Sequence, residues 1–305
     1  MGFDLYFAGS SVPEADEWII SNRHNRLYSF LNDKSSINRY GASQFEGNLF
    51  VDSGAFSAWT RGHTLNTKEY IRWLNERYDR VHLCGQVDSI PGDRTLGATY
   101  QQVCDAAQAT WDNYLFMRKR LKNPEALLYT FHVGEPFDFL RRALEWRDED
   151  GDPISYMALG GMVGKSSKTR DIFLEKCFRV IDQSTNKKIK IHAFGMTDFD
   201  LLKKYPINSA DSTSWIMVGA MGNIMSDYGN IMVSNNKIYD KNHYTHLPKK
   251  VIGYLDKNLE RFGFTLAQLS SSPNNRILFN AMYMQSKAEQ LNNKERKFTF
   301  RKKLF

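Results

Sequence analysis

The sequence has few cysteines and no long apolar run. Its 305 residues include only Cys84, Cys104 and Cys177, whose wide spacing excludes a disulfide framework and a paired-cysteine zinc site. No run of about 18 apolar residues occurs, and the N-terminus has no basic region followed by an apolar stretch. We therefore expect a cytoplasmic protein that has no contact with a membrane.

Negative charge is scarce in one place, the C-terminal segment 294–305. This segment, KERKFTFRKKLF, has six Lys or Arg residues and one Glu, within a chain whose formal net charge is +7. Cations interleaved with aromatic rings favour a nucleic-acid partner, because cations contact phosphates and rings stack on bases. A solvated tail that increases solubility is the alternative interpretation.

Short apolar runs alternate with longer amphipathic segments, a pattern typical of α/β proteins. The helical pattern covers residues 67–78, 96–121, 137–146 and 169–183, and Thr67 is the predicted N-cap of the first helix. The predicted strands are Leu5 to Ala8, Leu49 to Asp52, His82 to Asp88, Leu127 to Val133, Tyr156 to Leu159, Ile189 to Phe194 and Ile207 to Asp211.

Seven strands that alternate with helices fit a (β/α)₈ TIM barrel better than an open sheet, since the ~250 residues that such barrels need are available. An eighth strand is expected at 230–233 or near Ile238, and segment 234–250 is predicted to be an inserted loop. Helices are expected from about residue 251, notably at 274–291. We thus predict one catalytic TIM-barrel domain over residues 1–293, with a C-terminal helical extension and a basic tail at 294–305.

Polar residues and glycines recur where the predicted strands end. A lone Asp before Ser-Gly is often only a turn residue. However, the C-terminal ends of barrel strands meet on one face, which carries the chemistry in TIM barrels. Several carboxylates on this face favour a division of roles, in which one acts as nucleophile and another holds or releases a proton. Reactions at the anomeric carbon of a sugar have this requirement. The residues at these ends are Asp52, Asp88, His132, Gly134, Gly160, Gly161, His192, Gly195 and Asp211.

Six segments in this order resemble the signature segments of the tRNA-guanine transglycosylase superfamily. The chain is most similar to the phage-type 7-deazaguanine DNA transglycosylases, and the resemblance covers roughly residues 5–230. The segments are VDSGAF (51–56), QVDSIPGD (86–93), HVGE (132–135), ALGGMVG (158–164), HAFGM (192–196) and SADSTSW (209–215).

The resemblance implies that guanine in DNA is exchanged for a 7-deazaguanine, such as 7-cyano-7-deazaguanine or a derivative, through a covalent aspartyl-deoxyribose intermediate. The implied partners are DNA and the free 7-deazaguanine base, and no cofactor is needed. The implied location is the cytoplasm, of a bacterial host if a phage encodes the chain. The resemblance does not indicate an oligomeric state.

The resemblance also implies the catalytic roles. Asp211 matches the nucleophile that attacks C1′, and Asp52 matches the general acid/base. Asp88 matches the aspartate that reads the amino-pyrimidine edge of the base. Gly160 and Gly161 match a turn whose backbone N–H groups bind the base carbonyl.

Three further residues are assigned to the base pocket. Ser53 and Phe56 would support it, with the Phe56 ring stacking on the base or forming a wall. His132 stands where the tRNA-acting enzymes have a glutamine. It is either a base contact or a histidine that is satisfied at a strand end.

Four cations in loops at the same end of the strands are candidates for phosphate contacts: Arg61, Arg94, Lys165 and Lys168. A solvated surface is the alternative role for such charges.

The sequence departs from the tRNA-acting members at their zinc site. These members carry a Cys-x-Cys-x2-Cys and His site, whereas no cysteine follows Cys177 here. We therefore expect no metal, and we interpret His243 and His246 as surface histidines. The missing zinc subdomain favours DNA over tRNA. Base exchange in tRNA, and a non-catalytic nucleic-acid-binding subunit on the same barrel, are the alternatives.

Overall fold

Eight parallel strands form a closed barrel in chain order, and the first strand pairs with the last. The computed structural model describes residues 2–9, 12–32, 46–93 and 95–292. The predicted TIM barrel is confirmed. The strands are β1 (Asp4–Ala8), β2 (Asn25–Ser29), β3 (Leu49–Asp52), β4 (Val81–Gly85), β5 (Leu127–His132), β6 (Tyr156–Gly160), β7 (Lys190–Ala193) and β8 (Ser209–Ser212).

Helices follow the strands around the barrel. They are α1 (Pro13–Ser21), α2 (Ala55–Thr60), α3 (Thr67–Asn75), α4 (Tyr100–Arg118), α5 (Phe137–Glu145), α6 (Ser167–Gln183), α7 (Phe199–Lys204) and α8 (Ser214–Ala220). The four predicted helices are confirmed as α3 to α6, within somewhat different bounds.

Two helix starts differ from the sequence-based expectation. Asn66, rather than Thr67, is the N-cap of α3, because its side chain accepts hydrogen bonds from the backbone N–H groups of Lys68 and Glu69. Helix α4 begins at Tyr100 instead of residue 96. It starts there because Thr99 forms a capping box with the side chain three residues later.

The expected position of the eighth barrel strand was wrong. The strand is β2, which lies between β1 and β3, whereas Ile231–Met232 (β10) pairs antiparallel with Asn223–Ile224 (β9) outside the barrel. Strand β2 was missed because it contains Arg26, whose side chain is fully buried. The guanidinium group donates to the carbonyl oxygen of Gly9 at 2.6 Å and pairs with Asp16 at 3.0 Å. Its charge is therefore paired within the fold, and no apolar run identifies the strand.

A C-terminal helical extension follows β10 and contains α9 (Lys249–Phe262), α10 (Leu266–Ser271) and α11 (Pro273–Asn292). The expected loop 234–250 contains two 3₁₀ turns, at Asn235–Lys237 and Tyr244–His246, before α9 begins. Helix α11 packs on α8, where Gly219 lies so close to Ile277 that a Cβ would be 2.6 Å from the isoleucine side chain. None of the described helices is both long and apolar enough to cross a membrane.

The barrel interior is filled by side chains, as in other TIM barrels. This inner cluster comprises Tyr6, Ala8, Leu27, Phe50, Leu83, Leu128 and Ala158, with Phe194 and Tyr156 packed against it. Because the interior is closed, a ligand can enter only at an end of the barrel.

Candidate active site

Asp52 is the last residue of β3, and the turn behind it requires small residues. One Asp52 oxygen, Oδ2, accepts a hydrogen bond from the backbone N–H of Gly54 at 3.1 Å. Gly54 has φ of +81°, and a Cβ there would lie 2.5 Å from Oγ of Ser29. Ser53 is buried and accepts from the N–H of Ala55 at the start of α2. Ser53 therefore shapes this turn.

Burial raises the pKa of Asp52 to about 7, and the negative charge of Asp88 adds to this effect. The hydrogen bond from Gly54 acts in the opposite direction, and the charge of Asp211 raises the pKa further. Asp88 and Asp211, from two other strands, thus lie close enough to Asp52 to influence its protonation at one end of the barrel. At neutral pH the carboxyl of Asp52 can both give and take a proton.

Asp211 lies on β8, and one of its oxygens is firmly held. Its Oδ1 accepts from the backbone N–H of Gly195 at 2.9 Å and lies 3.2 Å from Nε2 of His192. Nδ1 of His192 lies 2.7 Å from Oγ of Ser209. Because an ionised carboxylate only accepts hydrogen bonds, Nε2 of His192 carries the proton that faces Asp211. The Oδ2 atom of Asp211 accepts no hydrogen bond from the described residues, so it is the oxygen available for chemistry.

Asp88 follows β4 by three residues and contacts two side chains. Its Oδ1 accepts from Nε2 of Gln86 at 3.0 Å, and its Oδ2 lies 3.3 Å from Nε2 of His132. Gln86 is buried. The carboxylate of Asp88 is therefore held from two sides.

His132 lies between two carboxylates at the end of β5. Its Nδ1 is 2.8 Å from Oε1 of Glu135, while its Nε2 faces Asp88. Burial lowers the pKa of His132, but the charges of Asp88 and Glu135 and their hydrogen bonds outweigh burial, so the pKa lies well above its usual value. His132 is thus an imidazolium that is hydrogen-bonded to Glu135 and ion-paired with Asp88, which favours the satisfied strand-end histidine over a direct base contact.

The glycine pair after β6 lies against this histidine. A Cβ on Gly160 would be 2.7 Å from Cδ2 of His132, and Gly161 has φ of +72°. The carbonyl of Gly160 accepts from the N–H of Val133 at 3.1 Å. The pair therefore allows the β5 and β6 loops to approach each other closely, with Gly161 exposed at the barrel end.

An aromatic layer closes the barrel beneath the aspartates. The ring of Phe194 lies 5.4 Å from that of Phe50 and 4.6 Å from that of His192, measured between centroids. Gly85 leaves space next to this layer, because a Cβ there would be 3.0 Å from Oδ1 of Asp52 and 3.7 Å from the Phe194 ring. Phe194 is partly exposed, which makes it a candidate platform for a flat ligand.

Sequence reasoning placed His192 at a strand end without giving it a role, and it did not single out Gln86, Glu135 or Phe194. All four lie in the quoted segments, but their contacts depend on residues from other strands. The signal that could have identified them is their position next to a predicted site residue: Gln86 precedes Asp88 by two residues, and Glu135 follows His132 by three.

The other predicted site residues are more peripheral. Phe56 on α2 is 67% exposed and its ring lies 6.0 Å from that of Trp59, so it does not wall a closed pocket. Arg61 is exposed and donates to Oδ1 of Asn32. Lys165 and Lys168 are exposed in the loop after β6 and the first turn of α6. Arg94 and the tail 294–305 lie outside the described residues.

The interpretation of both His243 and His246 as surface histidines was wrong for His243. His243 is 1% exposed and bonds through Nδ1 to the hydroxyl of Thr245, whereas His246 is exposed. The sequence pattern could not reveal this burial, because it comes from packing of the segment beside β10. Within the described ranges, no group of three or more His, Cys, Asp or Glu residues could hold a metal ion.

Comparisons with other proteins leave the site to be interpreted from its own geometry. No model of a known protein family matches the chain, and no curated protein sequence matches it. The fold itself is one that commonly carries enzymes, with their catalytic residues at the C-terminal ends of the strands. The aspartates described above lie at or just after those ends.

Proposed function

We propose that the protein is a glycosyltransferase that exchanges guanine in DNA for a 7-deazaguanine, such as 7-cyano-7-deazaguanine. The observation that carries this proposal is the carboxyl group of Asp52, whose pKa is raised to about 7 beside two other strand-end carboxylates. A reaction that protonates a leaving base and deprotonates an incoming base needs one group with such a pKa.

Asp211 is the proposed nucleophile. Its Oδ1 is held by the N–H groups of Gly195 and His192, so that Oδ2 is directed by the rigid end of β8. Attack of Oδ2 on C1′ of the nucleotide forms an ester-like C–O bond and breaks the bond from C1′ to N9 of guanine. The two donors to Oδ1 stabilise the ionised carboxylate before attack and after its release.

Asp52 moves the proton in both half-reactions. As the first bond breaks, the electron pair passes to guanine, which takes the proton of Asp52. The incoming base then loses its N9 proton to the Asp52 carboxylate, and N9 attacks C1′ to release Asp211. One glycosidic bond is traded for another, so the reaction needs neither a nucleotide triphosphate nor a cofactor, and two displacements retain the configuration at C1′.

Asp88 and the glycine pair are the proposed base-binding groups. The carboxylate of Asp88 can accept from the adjacent N1–H and 2-amino groups of guanine, and the N–H of Gly161 can donate to the base carbonyl. Gly160 contributes by bringing this loop against His132. Phe194 offers the partly exposed ring on which the base can lie.

DNA is the proposed nucleic acid, and its target base must leave the helix to reach the aspartates, which requires unstacking energy of a few kcal/mol. Exposed Lys165 and Lys168 after β6, and Arg61 after β3, can contact phosphates at this end of the barrel. The same contacts would serve tRNA, so the test includes both nucleic acids.

The decisive experiment measures incorporation of labelled guanine and 7-cyano-7-deazaguanine into DNA and into tRNA side by side, with denaturation to trap a covalent adduct. We expect exchange into DNA by the wild type and none by Asp211→Asn, with DNA binding retained. Asp200→Asn is the matched control, because that carboxylate is exposed on α7 and pairs only with Lys203 among the described residues. Exchange by Asp211→Asn at the wild-type rate would exclude Asp211 as the nucleophile. Exchange into tRNA alone would exclude DNA as the substrate.

A further inference from the structure

The carboxylate of Asp88 has a fixed orientation because each of its oxygens has a partner. Gln86 donates to Oδ1 at 3.0 Å and the His132 imidazolium lies 3.3 Å from Oδ2. Each carboxylate oxygen has about two acceptor positions, so one remains on each oxygen. Two parallel acceptors of this kind match a planar ligand with two adjacent N–H donors.

His132 is itself held by Glu135 through two contacts. Glu135 accepts from Nδ1 through Oε1 at 2.8 Å and from the backbone N–H of His132 through Oε2 at 3.2 Å. A neutral imidazole has a single N–H, so it could donate to Asp88 or to Glu135 but not to both. Loss of the second proton would therefore leave a ring lone pair facing the carboxylate of either Asp88 or Glu135. His132 would then no longer connect the two carboxylates.

The buried amide of Gln86 adds an independent observation. Gln86 is 1% exposed, and its Oε1 has no hydrogen-bond partner among the described residues, although its Nε2 donates to Asp88. A buried acceptor without a partner is unfavourable unless a ligand or water supplies the donor. An amino group that binds Asp88 would bring such a donor into the same place.

We infer that His132, kept as an imidazolium by Glu135, is a positioning residue that, with Gln86, aims Asp88 at bases with adjacent ring N–H and exocyclic amino donors. This inference rests on the proposed function and adds the determinant of its base specificity. His132 acts through Asp88 and does not contact the base. Bases that lack the amino group would lose one of the two hydrogen bonds to Asp88 and would leave the buried Oε1 of Gln86 without a donor.

The titratable groups near His132 and Glu135 do not supply the positive charge that the imidazolium provides. Burial, followed by the charge of Glu135, raises the pKa of Tyr129 on β5 and of Cys177 on α6, so both are neutral at physiological pH. Arg142 on α5 is bound to Gln108 at 2.7 Å. Asp52, at the end of β3, is a further acid at the same end of the barrel.

The test measures binding of two free bases by calorimetry. The probes are 7-deazaguanine and 7-deazahypoxanthine, which differ only in the 2-amino group. We expect the wild type to prefer 7-deazaguanine by roughly 100-fold, and His132→Gln to reduce this preference to about tenfold or less, since a hydrogen bond to a well-oriented charged group discriminates more strongly than one to a displaced group. His82→Gln, at an exposed position on β4, is the control and should retain the preference.

A second variant tests the charge without removing the histidine. The pKa of His132, followed by NMR of its ring nitrogens, should fall by at least about 1 unit in Glu135→Gln, because a carboxylate within hydrogen-bond distance is lost. The pH above which the base preference declines should fall with it. A wild-type pKa near 6.5 would overturn the inference, and so would an unchanged preference in His132→Gln.

Failure of the inference is distinguishable from failure of the proposed function. Binding of a free base requires neither DNA nor Asp211. A protein that shows the His132-dependent preference but no base exchange would refute the transglycosylase and retain the positioning role. Base exchange by His132→Gln with undiminished base preference would refute the positioning role of His132 and retain the transglycosylase.

Discussion

The α-carbon of Gly160 lies against the imidazole of His132, so that a Cβ on Gly160 would be 2.7 Å from Cδ2 of the ring and 3.0 Å from the methyl group of Thr130. Two strands, β5 and β6, are thereby brought together at the place where Asp88 is held. The N–H of Val133 donates to the carbonyl of Gly160 and joins the two backbones at this point.

The first prediction concerns this contact. Gly160→Ala should displace His132, lower the stability by about 1–3 kcal/mol and weaken binding of 7-deazaguanine at least about tenfold. Chemical denaturation and calorimetry measure the two effects. Gly253→Ala is the control, since nothing lies within 4 Å of its Cβ position on α9, and there alanine should stabilise the helix by about 0.5–1 kcal/mol. Equal effects of the two substitutions would contradict the role of the close approach.

The second prediction uses the pKa of Asp52, which burial and then the charge of Asp88 raise to about 7. Departure of guanine needs the protonated acid, so its single-turnover rate should fall about tenfold per pH unit above 7. Attack by the incoming base needs the carboxylate, so the rate of the second half-reaction should fall below pH 7. Rapid-quench measurements of the two half-reactions at pH 5.5 to 8.5 provide the test. Parallel pH profiles would exclude Asp52 as the shared acid/base.

The third prediction concerns stability and the same residue. Because the folded pKa of Asp52 lies above its ordinary value of 3.8, the folded state binds more protons between about pH 4 and pH 7, and its stability falls as pH rises through this window. Asp52→Asn carries no such charge. Its Tm relative to the wild type should rise from pH 4 to pH 8 by at least about 2 °C, the shift expected per kcal/mol in a large domain. A constant difference in Tm would show that the carboxyl has an ordinary pKa.

The fourth prediction compares two aromatic rings. Phe194 packs on Phe50 and His192 at the base of the site, whereas Phe56 is 67% exposed. Phe194→Ala should weaken binding of free 7-deazaguanine about tenfold, because stacking contributes about 1–3 kcal/mol per base. Phe56→Ala should leave this affinity within about twofold. The opposite ranking in calorimetry would place the base against Phe56.

The fifth prediction concerns the exposed cations after β6. Replacing Lys165 and Lys168 with alanine should weaken DNA binding and reduce the slope of log K against log salt by about 1–2, if both contact phosphates. Lys187 and Lys188 are matched controls. They are exposed just before β7, at the opposite end of the barrel, and their replacement should leave the slope unchanged. Equal slopes for both double variants would assign Lys165 and Lys168 to a solvated surface.

Several elements were predictable because their local pattern and their final environment agree. Strand β3 is an apolar run that ends in Asp52, and the following glycine has the positive φ that the turn requires. Strand β2 was not predictable, because Arg26 interrupts its apolar pattern and is neutralised by Asp16 and by the carbonyl of Gly9, 17 residues away. Local hydrophobic periodicity does not indicate such a distant partner.

The candidate site shows the same division. Asp52, Asp88 and Asp211 could be selected from the sequence because each lies at or shortly after a predicted strand end. The protonation state of His132 could not be predicted from the sequence, because it depends on the simultaneous approach of Asp88 and Glu135 from two loops. Likewise, the orientation of Asp211 depends on His192 and Gly195 from the neighbouring strand.

The sequence by itself determined the alternation of strands and helices and the positions of the acidic residues along the chain, since both follow from local hydrophobic periodicity and turn chemistry. The tertiary structure alone decided which strand closes the barrel, which carboxyl group has a pKa near 7 and which histidine is charged. Burial and Coulomb interactions depend on distances between residues that are far apart in sequence, and only the folded barrel sets those distances.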